Sequence, residues 1–336
     1  GDHRDLHLSL RRQRQMCIRD SFSGVSSSEG EETAVILYRL GQPYETDYTD
    51  IESARLEFML FKASRHLGKM DFRQGLELLH DTLAQLYGRE AAPHLTEGYR
   101  CLYEVFRLQR MGGLMAHLMG PLYGALSTRW LTRPLVAFQE ELTEEETSYY
   151  LPHIFNARGV EGRRDLLDVH GMKFTGVIDR GPEWSLRNGW YEALSDCLER
   201  AADAFERSGV KRGETLAKAS RLLSCIWRTC RNTVEFALLM ERACEKPSTP
   251  MPEPGVGDPD RQRVYDVLRD EIDNIQRFLN IWGSDNPERV VTVARKRKDE
   301  YSFLFGPDLR EQLERKIRIM ISKWEDVERL YAPPNL

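Results

Sequence analysis

Apolar positions recur with the period of a helix along most of this chain, and several of the runs carry clean start and stop signals. Thr49-Asp50-Ile51-Glu52 has the form of a capping box, and Leu56, Met59, Leu60, Ala63 and Leu67 follow on one side until Gly68 stops the pattern. Asp71-Phe72-Arg73-Gln74 opens a second helix that carries Leu76, Leu79, Leu83 and Leu86 and closes at Gly88. A third is predicted from about Ala91 to Leu108, with Leu95, Tyr99, Leu102, Val105 and Phe106 as its apolar side. Between Met111 and Gly181 the periodicity breaks at Gly112-Gly113, Gly120-Pro121, Arg133-Pro134 and Leu151-Pro152. One short helix, from about Glu144 to Tyr150, is predicted there from Thr143 with Glu146 three residues later. So long and aromatic a stretch is expected to be a functional loop or docking surface, or a meandering connection packed on the helices.

Helices resume at about Leu186 to Ser208, striped by Trp190, Leu194, Cys197, Leu198 and Phe205, and a long one follows from about Glu214 to Cys244. Lys246 to Gly255 holds four prolines and cannot continue it. Asp258-Pro259 then gives an N-cap with proline at the first helical position, opening a helix to about Trp282. Val290 to Val293 reads as one short strand, and Gly306-Pro307 opens a last helix to about Tyr331. The expected fold class is mostly α: a multi-helix bundle or array with a long irregular central segment and little or no sheet. In segments, this is a lead-in over 22–48, N-terminal helices over 49–110, the irregular centre over 111–185, a long helical pair over 186–245, a Pro-rich linker over 246–257, and C-terminal helices over 258–336.

Residues 1–21 stand apart. Met16 to Asp20 can be encoded ATG TGT ATA AGA GAC, and an AG on each side gives AGATGTGTATAAGAGACAG, the mosaic end of transposase-based sequencing adapters. Gln15 and Ser21 fit the flanking bases. The expectation is therefore an open reading frame read through an adapter junction in a metagenomic assembly, with residues 1–21 disordered and the parent gene longer. Leaving out that stretch, with its five Arg and three Asp, moves the net charge from −5 to −7. Arg11-Arg12-Gln13-Arg14 is then no nucleic-acid arm, and a mildly acidic balance with mixed signs argues against phosphate-backbone binding. No apolar run is long enough to span a membrane. Besides Cys17 there are Cys101, Cys197, Cys225, Cys230 and Cys244, an odd set on helical patterns that reads as reduced, buried thiols. They lean the compartment toward the cytoplasm, which is otherwise unread.

No phosphate loop, GxGxxG, HExxH, paired CxxC or GxSxG is present, so no catalytic residue, metal site or cofactor is assigned and enzyme activity stays open. Polar groups suited to a ligand gather in the centre. Arg129-Trp130-Leu131-Thr132-Arg133-Pro134 combines two guanidinium forks with an indole, which suits a carboxylate or a sugar face. The bland alternative pairs both arginines with Glu140, Glu141, Glu144, Glu145 and Glu146. His170 beside Asp168 and Asp179 could orient an acid/base imidazole, with Lys173 and Trp184 nearby. Arg228, Arg231 and Glu235 share one helix face, where interhelical salt bridges explain them more simply than a ligand. Arg295 to Lys298 and Glu311 to Lys316 read as solvated faces. The ligand-binding candidates are Arg129, Trp130, Arg133, His170, Asp179 and Trp184.

Tyr87-Gly88-Arg89-Glu90-Ala91-Ala92-Pro93, followed by a helix rich in Leu and Tyr, resembles a recurrent segment of large bacterial glycoside hydrolases of the α-glucuronidase and β-hexosaminidase type. Arg129 to Leu135 and Asp270-Glu271-Ile272-Asp273-Asn274 are similar to sequences of such proteins, and the resemblance extends over about residues 70 to 330. In that architecture a catalytic (β/α)8 barrel precedes an all-helical region, and the "YG.EAAP" turn lies between two helices. The resemblance implies a helical C-terminal region that packs on a catalytic domain of the same polypeptide, with carbohydrate as the substrate class. It carries no catalytic carboxylate onto this chain, because the barrel strands are not in it. The alternative expectation is a free-standing helical binding or scaffold protein that recognises a partner or a small acidic ligand.

Overall fold

The computed structural model describes Leu56, Met59, Leu60, and residues 71–111, 130–150, 173–174, 177–178, 182–245, 259–283 and 305–331. These form a mostly α protein. The helices are α1 (Phe72–Tyr87), α2 (Ala92–Met111), α3 (Glu144–Thr147), α4 (Pro182–Arg187), α5 (Trp190–Arg207), α6 (Lys211–Glu245), α7 (Pro259–Trp282), α8 (Leu309–Ser322) and α9 (Asp326–Tyr331). One antiparallel ladder pairs β1 (Lys173–Phe174) with β2 (Val177–Ile178), in register Lys173↔Ile178 and Phe174↔Val177. The chain divides into two compact units, residues 1–106 with 200–217, and residues 107–199 with 218–336.

In the first unit, the ends of α1 follow from local chemistry. Asp71 Oδ1 accepts from Gln74 N–H at 2.8 Å while Gln74 Oε1 accepts from Asp71 N–H at 3.0 Å, a reciprocal capping box at the helix start expected from the sequence. At the far end Gly88 takes φ +93°, a backbone conformation open to glycine, and its N–H bonds Ala84 O at 3.0 Å. A short turn then leads into α2. Ala92 and Leu95 are fully buried, and Tyr99 meets Phe205 edge-on with ring centroids 5.2 Å apart. Leu56 and Leu60 of the helix expected from Thr49 are helical and buried.

In the second unit α7 packs on α8 and α9. The core there joins Phe236 and Leu239 of α6, Val264, Val267 and Leu268 of α7, Met320 of α8, Val327 of α9, and Leu135 from the irregular segment. A neighbouring cluster joins Val136, Tyr149 and Tyr150 to Ile319. Trp190 stacks edge-on with Trp227 at 5.4 Å and donates its indole N–H to Leu108 O at 2.7 Å.

Two helices expected as continuous are broken. The run from Leu186 divides into α4 and α5 because Gly189 adopts φ +64° and turns the chain. The last helix stops at Ser322 and restarts at Asp326; the intervening turn lets Trp324 pack on Tyr265, with ring centroids 5.2 Å apart. The irregular centre contains a 3-10 turn at Gln139–Glu141, α3 with the expected Thr143–Glu146 capping box, and the β1–β2 ladder. Residues 1–48, the Pro-rich stretch 246–257, the strand expected at Val290 to Val293 and the basic run Arg295 to Lys298 lie outside the described residues.

Candidate functional site

α6 has no exposed residue from Thr215 to Glu241, yet Ser220, Ser224, Thr229, Asn232 and Thr233 are among its buried positions. A helix covered on all sides must satisfy such groups internally. Thr229 and Asn232 do so against α7. The buried stripe of α7 runs Val264, Val267, Leu268, Glu271, Asn274, Ile275, Phe278, so a carboxylate and an amide occupy positions where the helical period calls for apolar side chains. The same holds for α8, whose buried stripe is Leu309, Gln312, Leu313, Lys316, Ile319, Met320.

These intruders meet. Lys316 and Glu271 form an ion pair whose side chains are both 0% exposed. The Lys316 ammonium donates to Glu271 Oε1, to Leu131 O at 3.0 Å and to Trp130 O at 3.4 Å, so its three protons have three oxygens. Glu271 Oε1 also accepts from the Thr229 hydroxyl at 2.9 Å, and Oε2 accepts from Asn232 Nδ2 at 2.9 Å. Asn274 Nδ2 donates to Cys225 O at 2.8 Å and to Thr229 Oγ1 at 3.1 Å. Burial pushes the Lys316 ammonium below the ordinary lysine range, against the opposing pull of Glu271. Sequence reasoning placed Lys316 on a solvated face; it is instead the most enclosed cation described.

Asn232 links this interior to an outer row of charges. Its second amide proton goes to Asp270 Oδ2 at 2.9 Å, and Asp270 also accepts from Arg228 Nε at 2.9 Å. Burial raises the Asp270 pKa, but the hydrogen bonds from Arg228 and Asn232 outweigh it, and the carboxyl is held below its usual range. Arg231 reaches Glu192 at 2.8 Å and Glu235 at 3.4 Å, and Glu235 accepts from Arg263 Nη2 at 2.8 Å. Arg277 bonds Glu199 at 2.7 and 2.8 Å. The face shared by Arg228, Arg231 and Glu235 is thus occupied by interhelical salt bridges.

Of the ligand-binding candidates, Trp130 and Arg133 fall in one turn, closed by Arg133 N–H to Trp130 O at 3.2 Å. Both are buried, at 4% and 6% exposure, so neither side chain faces solvent. Arg133 donates to Gln139 Oε1, and Thr132 O accepts from the Tyr149 hydroxyl at 2.9 Å. From the acidic run, Glu141 pairs with Arg329 at 2.8 Å and Glu145 with Arg315 at 3.5 Å. Arg129, His170 and Asp179 lie outside the described residues, as does the side chain of Trp184, whose backbone belongs to α4. A shallow depression of about 240 Å³ lies between α3 and α8, lined by Glu145, Glu146, Arg315, Arg318, Ile319 and Ser322. It is smaller than the ~300 Å³ at which ligand pockets begin.

Among the described residues no group of three or more His, Cys, Asp or Glu could hold a metal ion, and no helix is long and apolar enough to cross a membrane. Cys101, Cys197, Cys225 and Cys230 are buried thiols. Burial pushes the Cys225 thiol up to about 12 and Cys101 to about 11. Comparisons with family models, curated proteins and solved structures return no match to this chain.

Proposed function

We propose that this chain is the helical accessory region of a larger carbohydrate-active enzyme, a rigid support that packs on a catalytic barrel of the same polypeptide. The observation that carries the reading is the Lys316 network. Two of the stretches that resemble glycoside hydrolase sequences, Arg129 to Leu135 and Asp270 to Asn274, meet at that one ammonium. A further support is the Gly88 turn, which joins two helices as it does in that architecture. Lys316, Glu271, Thr229 and Asn232 commit their polar atoms to one another and to the turn's carbonyls, so their role is to hold a turn in place rather than to transform a substrate. In this reading Trp130 and Arg133 act through the shape of the turn.

The test is to read the parent gene with long reads from the source sample and express both products. A barrel encoded upstream is expected. The joined protein should hydrolyse aryl glucuronosides or hexosaminides, while the present chain alone does not. A gene that begins near Phe22 with no barrel, or turnover by this chain alone, overturns the proposal. A second reading is a free-standing helical protein for a small acidic ligand, which would meet Arg318 in the depression beside α8, where Arg315 is already paired with Glu145. Saturable binding of glucuronate that Arg318→Ala abolishes would select it.

A further inference from the structure

Trp130 is the last residue of a helical stretch and residues 131–133 turn away from it, so the carbonyls of Trp130 and Leu131 have no ladder to join. Trp130 and Leu131 are buried, and their carbonyl oxygens accept from a side chain far away in sequence, Lys316. Several other polar bonds of this segment are internal to it: Arg133 N–H to Trp130 O, Arg133 to Gln139, and Tyr149 to Thr132 O. Its ties to the outer surface of the C-terminal helices include Glu141 to Arg329, Arg329 over the Phe138 ring at 4.5 Å, Glu145 to Arg315, and Arg315 over the Tyr149 ring at 5.7 Å. Such solvent-facing pairs hold a segment weakly. A buried ammonium shared between two carbonyls and a carboxylate is a different kind of tie. It is charge-assisted and screened from water, and no neutral side chain of similar length reproduces it.

We propose that the Glu271–Lys316 pair is a latch: it fixes residues 130–150 against α7 and α8, and without it this segment opens as a local unit while α5, α6 and α7 stay folded. Glu271 holds the ammonium in place from α7, Thr229 and Asn232 hold Glu271 from α6, and the ammonium holds the turn. Leu131, Leu135 and Val136 are buried, so loss of the latch loosens the segment without expelling it. The inference concerns this chain's own mechanics and does not rest on the hydrolase reading.

Hydrogen–deuterium exchange by mass spectrometry tests it on the full chain. In Lys316→Met, peptides covering 130–137 should exchange at least ~10-fold faster, the size expected when a buried carbonyl loses its donor. Lys316→Met also strands a buried carboxylate, so the Glu271→Met/Lys316→Met double variant separates the two effects. Its melting temperature should recover relative to the single variant, while 130–137 stays fast and 218–240 stays within about twofold of wild type. Wild-type protection at 130–137 in the double variant overturns the proposal, as does a uniform rise across all peptides. If neither variant folds, the unmodified protein decides. In low denaturant, 130–137 should open with a smaller denaturant dependence than 218–240; equal dependence overturns the latch.

Discussion

Gly98 in the middle of α2 offers a calculation with two opposed terms. Glycine inside a helix costs about 1 kcal/mol relative to alanine, so Gly98→Ala in an open site would stabilise the protein. The site is not open. A Cβ at residue 98 falls 2.7 Å from Phe205 Cζ and nearer still to Cε1 and Cδ1. Phe205 is fully buried, and Tyr99 stands edge-on to its ring at 5.2 Å, so the ring must turn off its preferred rotamer or push its neighbours. Overpacking of this kind costs about 1–3 kcal/mol, and a rotamer shift is part of that sum. Set against the helix gain, the net is a loss of up to about 2 kcal/mol, hence a melting temperature lower by as much as several degrees at about 2–4 °C per kcal/mol. Thermal unfolding followed by far-ultraviolet circular dichroism measures it. The control is the same change in a Phe205→Leu background, where the ring atoms that collide are gone. There Gly98→Ala should be neutral or stabilising, giving a clear interaction energy in the double-mutant cycle. If Gly98→Ala raises the melting temperature of the wild type, or costs the same in both backgrounds, the packing argument fails.

Other consequences can be measured in the same preparations. Asp71→Ala removes the acceptor for Gln74 N–H and should cost about 1 kcal/mol, seen as faster amide exchange in the first turn of α1; unchanged exchange there would contradict the cap. Cys101, Cys197, Cys225 and Cys230 should ignore a thiol reagent in the native protein and react once denaturant is added. Rapid native labelling of more than two of the six cysteines would refute their burial. Asp270, held below its usual range, contributes stability that is fully present above about pH 4 and is lost as pH falls through its lowered pKa. Asp270→Asn should therefore flatten the acid limb of a stability-versus-pH curve; an unchanged limb would remove Asp270 from the account.

Local signals made the helical fold readable. Asp71 with Gln74 and Thr143 with Glu146 mark helix starts chemically and the structure forms both caps, while Pro259 stands as the first residue of α7. What escaped was of two kinds. The breaks at Gly189 and at Lys323 interrupt otherwise continuous apolar periods, and the second is set by where Trp324 finds a partner on α7. Lys316 escaped because charge was read by residue type rather than by register. Leu309, Leu313 and Met320 place position 316 on the buried stripe, and a lysine there is the signal. Its partner Glu271 and the carbonyls of Trp130 and Leu131 are too distant in sequence for any local pattern to reveal. The Arg129-to-Pro134 stretch drew attention for its arginines and indole, whereas its backbone oxygens make the contact that organises the site.

The buried pair also constrains how this sequence could have changed over time. Losing either charge alone strands the other in the interior, at about 3–5 kcal/mol, a large share of the ~5–15 kcal/mol that holds a typical domain folded. Glu271 and Lys316 are therefore entrenched as a unit. Descendants of a common ancestor should either keep both or have replaced both, with few sequences caught between. An acid and a lysine so coupled, each in register with the apolar stripe of its own helix, form a pattern by which remote kin could be recognised after the rest of the chain has diverged beyond comparison.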